Sequence, residues 1–271
     1  PSLLVAVLVP LLFGYMFGDV GHGLVLMLTG LLLQRRWPLL RILVANGASS
    51  MLFGLVFGSV FGHEDIIPAL WVHPLEQPLP VMLVPLIGGV VILLLGMLLN
   101  AIEAWWSGRF RQWLQVEAAV LCLYLSLLAA LLRSASLVVT ALCLLWYLAG
   151  SVQGVQSGRL ARLGVALGTL VESIMQLLIN TISFVRVGAF ALAHGGLSLA
   201  FVIMAGATQN VVAGFLILLL GNVIVILLEG LVVTIQTTRL VLFEFIIRFL
   251  RGSGRVFRPL PAPRETVELK E

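Results

Sequence analysis

LGVALGTLVESIMQLLINTISFVRVGAFALAHGGLSLAFVIM, Leu163 to Met204, is an apolar run with no proline and only three ionisable side chains, Glu172, Arg186 and His194. As one helix it would reach roughly 63 Å, about twice the hydrocarbon core of a bilayer. A second such run, Val211 to Leu250, follows it at roughly 60 Å. Helices of that length must tilt steeply, break, or project beyond the membrane. The rest of the chain has the same character. Of 271 residues, 61% are hydrophobic and 10% charged, where a soluble domain carries about a quarter charged residues. So little polar surface cannot cover a soluble globule, which excludes soluble enzymes, nucleic-acid binders and disordered proteins.

Upstream lie six shorter apolar stretches. Leu3–Phe17 and Val20–Leu33 form an expected helical hairpin around Gly18-Asp19-Val20-Gly21; spans at about Ile42–Phe61, Val81–Ala101, Leu114–Leu132 and Leu137–Ala149 follow. The expectation is an all-α polytopic membrane protein of eight transmembrane helices, the last two long and steeply tilted. It divides into a six-helix bundle (1–162), two long helices (163–250) and a Pro-rich, charged tail (251–271) expected to be disordered. Basic residues of short loops stay on the cytoplasmic side. With the N-terminus inside, Arg35, Arg36, Arg41, Arg109, Arg111, Arg159, Arg162 and the basic tail share one side, and only Arg133 falls outside. Both termini are therefore expected in the cytoplasm of a bacterial or archaeal type cell. The net charge of +4 then concerns topology, with no nucleic acid as partner. Glycines four apart (Gly14/Gly18, Gly54/Gly58/Gly62, Gly164/Gly168) mark expected helix contacts.

Ionisable groups at membrane depth are expensive and usually face a partner or a watery path. In the seventh segment, with Arg186 at zero, Glu172, Ser183 and His194 fall at about 40°, 60° and 80° around the helix, a single polar stripe. Glu172 lies about 21 Å toward the cytoplasm from Arg186 and His194 about 12 Å toward the outside. In the eighth, Asn222, Glu229 and Gln236 recur every seven residues, and Arg239 shares their face. Such charges could be glue, a buried arginine pairing with a glutamate of the next helix. Two arginines, two carboxylates and a histidine separated by depth fit an ion path better: titratable groups lead in from each side, and an arginine that never deprotonates stands between them.

These residues resemble a known family, the membrane domain of subunit a, also called subunit I, of V-type and A-type rotary ATPases. FGYMFGDVGHG (Phe13–Gly23), SFVRVGAFALAHGGLS (Ser183–Ser198), EGLVVTIQTTRLVLFEFIIRF (Glu229–Phe249) and GSVFG (Gly58–Gly62) carry the match, which covers essentially the whole chain. The resemblance implies a stator beside a rotating proteolipid ring (the c or K subunits), with two half-channels delivering protons or Na+ to the ring carboxylates. It implies that Arg186 is the essential arginine and that Arg239 supports it, with Gln236 positioning both. Glu172 would belong to the cytoplasmic half-channel, and Glu229 with His194 to the outer one. The peripheral and central stalk subunits and the lipid bilayer are the other implied partners. Family members carry a large cytoplasmic N-terminal domain, expected here on a longer chain or a separate one. Val187-Gly188 stand where many relatives have bulkier residues, which leaves local packing open.

Asp19 and His22 are expected to do turn and packing work at an outer hairpin tip. His63, Glu64, Asp65 and His73 fit no metal-ligand spacing and read as a solvated loop; Cys122 and Cys143 read as small hydrophobes. Neither a metal nor a cofactor is expected. With no GxxxxGK[ST] pattern, ATP chemistry belongs to other subunits and the chain is not itself an enzyme. The runner-up, an ion-coupled secondary transporter, would show paired repeats with interrupted helices. A structural scaffold would tolerate neutral replacement of both arginines.

Overall fold

A computed structural model describes residues 2–63, 66–132, 136–152 and 159–246. Among these every regular element is helical, with one isolated antiparallel bridge, Val60 to His63. The order is α1 (Ser2–Met16), α2 (Val20–Leu33), α3 (Arg41–Phe57), α4 (Pro78–Trp106), α5 (Phe110–Leu132), α6 (Leu137–Val152), α7 (Arg159–Ser183), α8 (Val185–Gly206), α9 (Val211–Ile224) and α10 (Gly230–Leu240). Four helices are long and apolar enough to cross a membrane: Pro78–Trp106, Trp113–Ala130, the α7–α8 pair over Leu163–Gly206, and Val211–Ile246. The other four, α1, α2, α3 and α6, are apolar but shorter. The chain is a multi-pass membrane protein.

Local chemistry sets the boundaries. Asp19 caps α2 by accepting the His22 N–H at 2.9 Å, and Asn210 caps α9 by accepting that of Val212 at 3.0 Å. Pro78 opens α4, where its missing N–H costs nothing. The third span ends at Phe57, earlier than the apolar run to Phe61 implied, because Gly58 turns left-handed at φ 73° and closes the helix.

The two long segments depart from uniform α-helix. The seventh is interrupted at Phe184, where Phe184 N–H donates to Thr181 and Val187 N–H to Phe184, a tightened turn between α7 and α8. The fully buried Phe184 ring fills a notch at Gly89 of α4. The eighth widens twice into π-helix, at Val225–Glu229 and at Val241–Ile246. Neither change has a proline behind it; the break at Phe184 goes with its packing on Gly89, a contact that periodicity does not register.

Two apolar clusters divide the bundle, with α4 reaching both. One joins α1, α3, α4, α8 and the α9–α10 segment through Phe13, Phe57, Leu93, Val187 and Val233; the other joins α5, α6 and α7 through Leu123, Tyr124, Cys143, Tyr147 and Leu170. Cys143 is buried and both cysteines are free thiols. Val187 is fully buried, and Gly188 lies so close to α4 that a Cβ there would sit 2.6 Å from the Val81 carbonyl oxygen. The small residue after Arg186 is thus what lets α8 lie on α4. The glycine expectation holds for Gly14, Gly18 and Gly54, which abut neighbouring helices; among the described residues Gly164 and Gly168 meet no neighbour. Arg133, the 153–158 linker, the end of the eighth segment and the tail fall outside the described residues.

Candidate functional site

Because α8 and α9–α10 are joined by a short turn after Gly206, they run antiparallel, and residues ascending one descend the other. The heptad on the eighth segment makes three rungs. Asn222 donates to the Leu218 carbonyl at 2.8 Å, so its side-chain oxygen is the group that meets His22 Nε2 at 2.7 Å. Glu229 Oε2 lies 2.7 Å from His194 Nδ1. Gln236 Oε1 accepts from Arg186 Nη1 at 3.2 Å. At seven residues per step the rungs are spaced about 10.5 Å apart. The first π-helical turn ends on Glu229, and the second begins two residues past Arg239. Such turns recur at functional positions because they re-aim one side chain without ending the helix.

The arginine rung opens on a groove. Arg186 is half-buried and Arg239 exposed; with Ser183, Asn180 and Glu244 they line a cavity of about 710 Å³. Among the described residues neither arginine forms an ion pair with a carboxylate. This is unusual at membrane depth, where a guanidinium ordinarily finds an acid. An amide oxygen orients Arg186 without neutralising it. Glu244, on the wall of the same groove, is buried at 7% exposure.

The histidine rungs meet at the hairpin. Asp19 and His22 are both fully buried and His194 nearly so. The two imidazole rings are 5.3 Å apart between centroids, walled by Phe17 and Phe61. Asp19 accepts four hydrogen bonds: from the N–H of His22 and of Phe61 (3.0 Å) on one oxygen, and from Ser59 Oγ (2.7 Å) and the Gly62 N–H (3.0 Å) on the other. The Gly58–Gly62 turn is thus a cradle for one carboxylate. Gly62 is required there, both for its left-handed φ of 75° and because a Cβ would press on Ser198 of α8.

Arg186, Gln236, Ser183 and Arg239 therefore gather at one level, and His194 with Glu229 at another. Glu172 stands apart, exposed on α7 beyond the break at Phe184, with no hydrogen bond to any of them among the described residues.

The chain is 27% identical over its whole length to A-type ATP synthase subunit I of Pyrococcus horikoshii. It is 29% identical to that of Aeropyrum pernix over 96% of its length, and 44% identical to that of Saccharolobus solfataricus over 34%. The chain is similar along its whole length to subunit I. No family model matches it. It spans about half the length of these subunit I relatives, 44% and 47% of the first two.

Within this subunit I-like chain the sequence placed Asp19 and His22 at a turn and gave no sign that His22 reaches Asn222 and His194. The Asp19 cap and its backbone partners were foreseeable. The convergence was not, because His22, His194 and Asn222 lie on three separate segments. The one available signal was Asn222, first member of the heptad and a polar side chain in need of a partner.

Proposed function

We propose that the chain is the stationary membrane subunit of a V/A-type rotary ATPase, forming two half-channels that carry protons or Na+ to and from carboxylates on a rotating proteolipid ring. One observation carries the proposal. Arg186 and Arg239 share a groove and neither is ion-paired with an acid among the described residues, so their charge is available to a carboxylate arriving from outside. Subunit I similarity along the whole chain supports the same reading.

The mechanism follows from electrostatics. A protonated ring carboxylate entering the groove meets a guanidinium that cannot deprotonate, and its ionised form is favoured there. The proton leaves by the half-channel then in reach. Rotation away into lipid restores the neutral form, because desolvation penalises the charge. Gln236 holds Arg186 toward the groove while Arg239 adds a second positive charge; Ser183 lines the wall. Glu229 and His194 belong to the outer path and Glu172 to the inner one. The α9–α10 segment is the ring-facing surface: only 17% of its most apolar window is buried within the chain, against 28% to 33% for the other three long helices. Eight crossings with both termini cytoplasmic complete the topology, the short α1, α2, α3 and α6 included. The 44-residue Leu163–Gly206 pair, at about 66 Å, lies tilted along the ring. ATP chemistry, the stalks and the ring are other chains of the complex.

Affinity purification of this chain from native membranes tests the proposal. Copurification of a small proteolipid carrying a buried Glu or Asp is the expected result. A chain that purifies from intact membranes without any proteolipid or ATPase subunit contradicts it.

A further inference from the structure

Asp19, His22 and His194 each present one ligand atom, and these atoms lie within 4.8 Å of one another in a buried pocket. Hydrogen bonds on the far side of each ring fix which atom that is. His22 Nε2 donates to Asn222 Oδ1, the amide nitrogen being turned to the Leu218 carbonyl, so His22 Nδ1 carries a lone pair. His194 Nδ1 donates to the Glu229 carboxylate, so His194 Nε2 carries one as well. Both nitrogens are buried without a hydrogen-bond partner among the described residues. The third atom, Asp19 Oδ1, is an acceptor 3.5 Å from His22 Nδ1. Two bare imidazole nitrogens thus face a carboxylate oxygen with no donor between them, and unsatisfied buried acceptors such as these nitrogens demand an explanation.

The charge points the same way. Asp19 and Glu229 bring two negative charges, and among the described residues no lysine or arginine is bonded to the cluster. Protons alone satisfy it poorly, since neither bare nitrogen has a partner in hydrogen-bond geometry among the described residues. A divalent cation meets both bare nitrogens, adds to the N–H contacts of Asp19 Oδ1, and balances both carboxylates.

We propose that Asp19, His22 and His194 form a binding site for a transition-metal dication of the Zn2+ class. Two imidazoles and one carboxylate suit zinc or cobalt and disfavour magnesium or calcium, which take oxygen ligands. Metal–nitrogen bonds of about 2.0–2.1 Å require the pocket to contract by about an ångström. Glu229 and Asn222 are the outer partners that fix the tautomers, an arrangement that recurs behind metal-bound histidines. Three protein ligands leave a fourth position open. The metal staples α2 to α8 and occupies the one nitrogen of His194 not turned to Glu229. It therefore stops His194 from relaying a proton, an inhibitory consequence that rests on the ion-path reading above; the binding does not.

The assembled complex, dialysed against Zn2+ and then against metal-free buffer, is assayed for zinc, alongside complexes carrying His22→Gln or His63→Gln. His22→Gln keeps a side-chain amide able to donate to Asn222. The expected result is one zinc ion per chain in the unsubstituted and His63→Gln complexes and its loss in His22→Gln. Equal zinc in all three, or none in the unsubstituted complex, overturns the proposal. If His22→Gln fails to assemble, Co2+ added to the unsubstituted complex decides: visible bands of four-coordinate cobalt, displaced by Zn2+, support the site, and the pale spectrum of six-coordinate aquated cobalt overturns it. Zinc that binds without slowing transport leaves the metal site standing and contradicts the place of His194 in the path.

Discussion

The two halves of the bundle tie their helices together by different chemistry. Around α5, α6 and α7 the ties are neutral hydroxyls: Tyr124 with Thr181 at 2.5 Å, and Tyr147 with Thr169 at 3.1 Å. Around α2, α8 and α9–α10 ionisable ties are added to neutral ones such as Tyr15 Oη with the Val81 carbonyl: His22 with Asn222, His194 with Glu229 and Arg186 with Gln236. Hydroxyl ties satisfy each other and need nothing from outside the chain. The second set is incomplete by itself, with an arginine lacking an acid and two histidine nitrogens lacking donors. Polar contacts that close on themselves hold helices together; those left open wait for an ion or a second molecule.

The largest expected effect of breaking that contrast is at Arg186. Arg186→Lys keeps a charge but loses the fixed fork and gains a group that can deprotonate, so coupled transport should fall at least about a hundredfold, or about 2.7 kcal/mol. Retained pumping within a few fold would show that any cation serves. Arg239→Ala should cost less, about tenfold in ATP-driven ion uptake, because Arg186 still faces the groove. Glu229→Gln should slow uptake by roughly threefold to fivefold, since the glutamine still reaches His194 but no longer exchanges a proton. Tyr124→Phe should leave uptake unchanged and lower stability by about 0.6 kcal/mol, the average for an interhelical polar contact; thermal denaturation of the assembled complex measures it. A transport defect in Tyr124→Phe would erase the distinction between the two halves.

The helices themselves were legible in the sequence, because apolar run length reports helices whatever they pack against. The breaks inside them were not. Phe184 interrupts the seventh segment where its ring finds the notch at Gly89, a contact between residues far apart in sequence. The site was half legible for the same reason. The spacing of Asn222, Glu229 and Gln236 placed them on one face, and the structure gives each a separate partner. Which partner depends on the register of α8 and the hairpin against that face, and a helical period carries no information about register. His22 was obscured further by its Gly-rich neighbours, which look like a turn. Glu172 shows the converse: extrapolation at 100° per residue put it on the stripe with Arg186, but the extrapolation crosses the break at Phe184.

The central claim is that Arg186 faces its counter-charge across the groove, on another molecule. ATP-driven ion uptake into inverted membrane vesicles carrying the assembled Arg186→Ala complex tests it most directly, with proteolipid content measured on the same preparation. The account predicts uptake indistinguishable from vesicles without ATP, in a complex of unaltered subunit content. Normal uptake by that complex would contradict it.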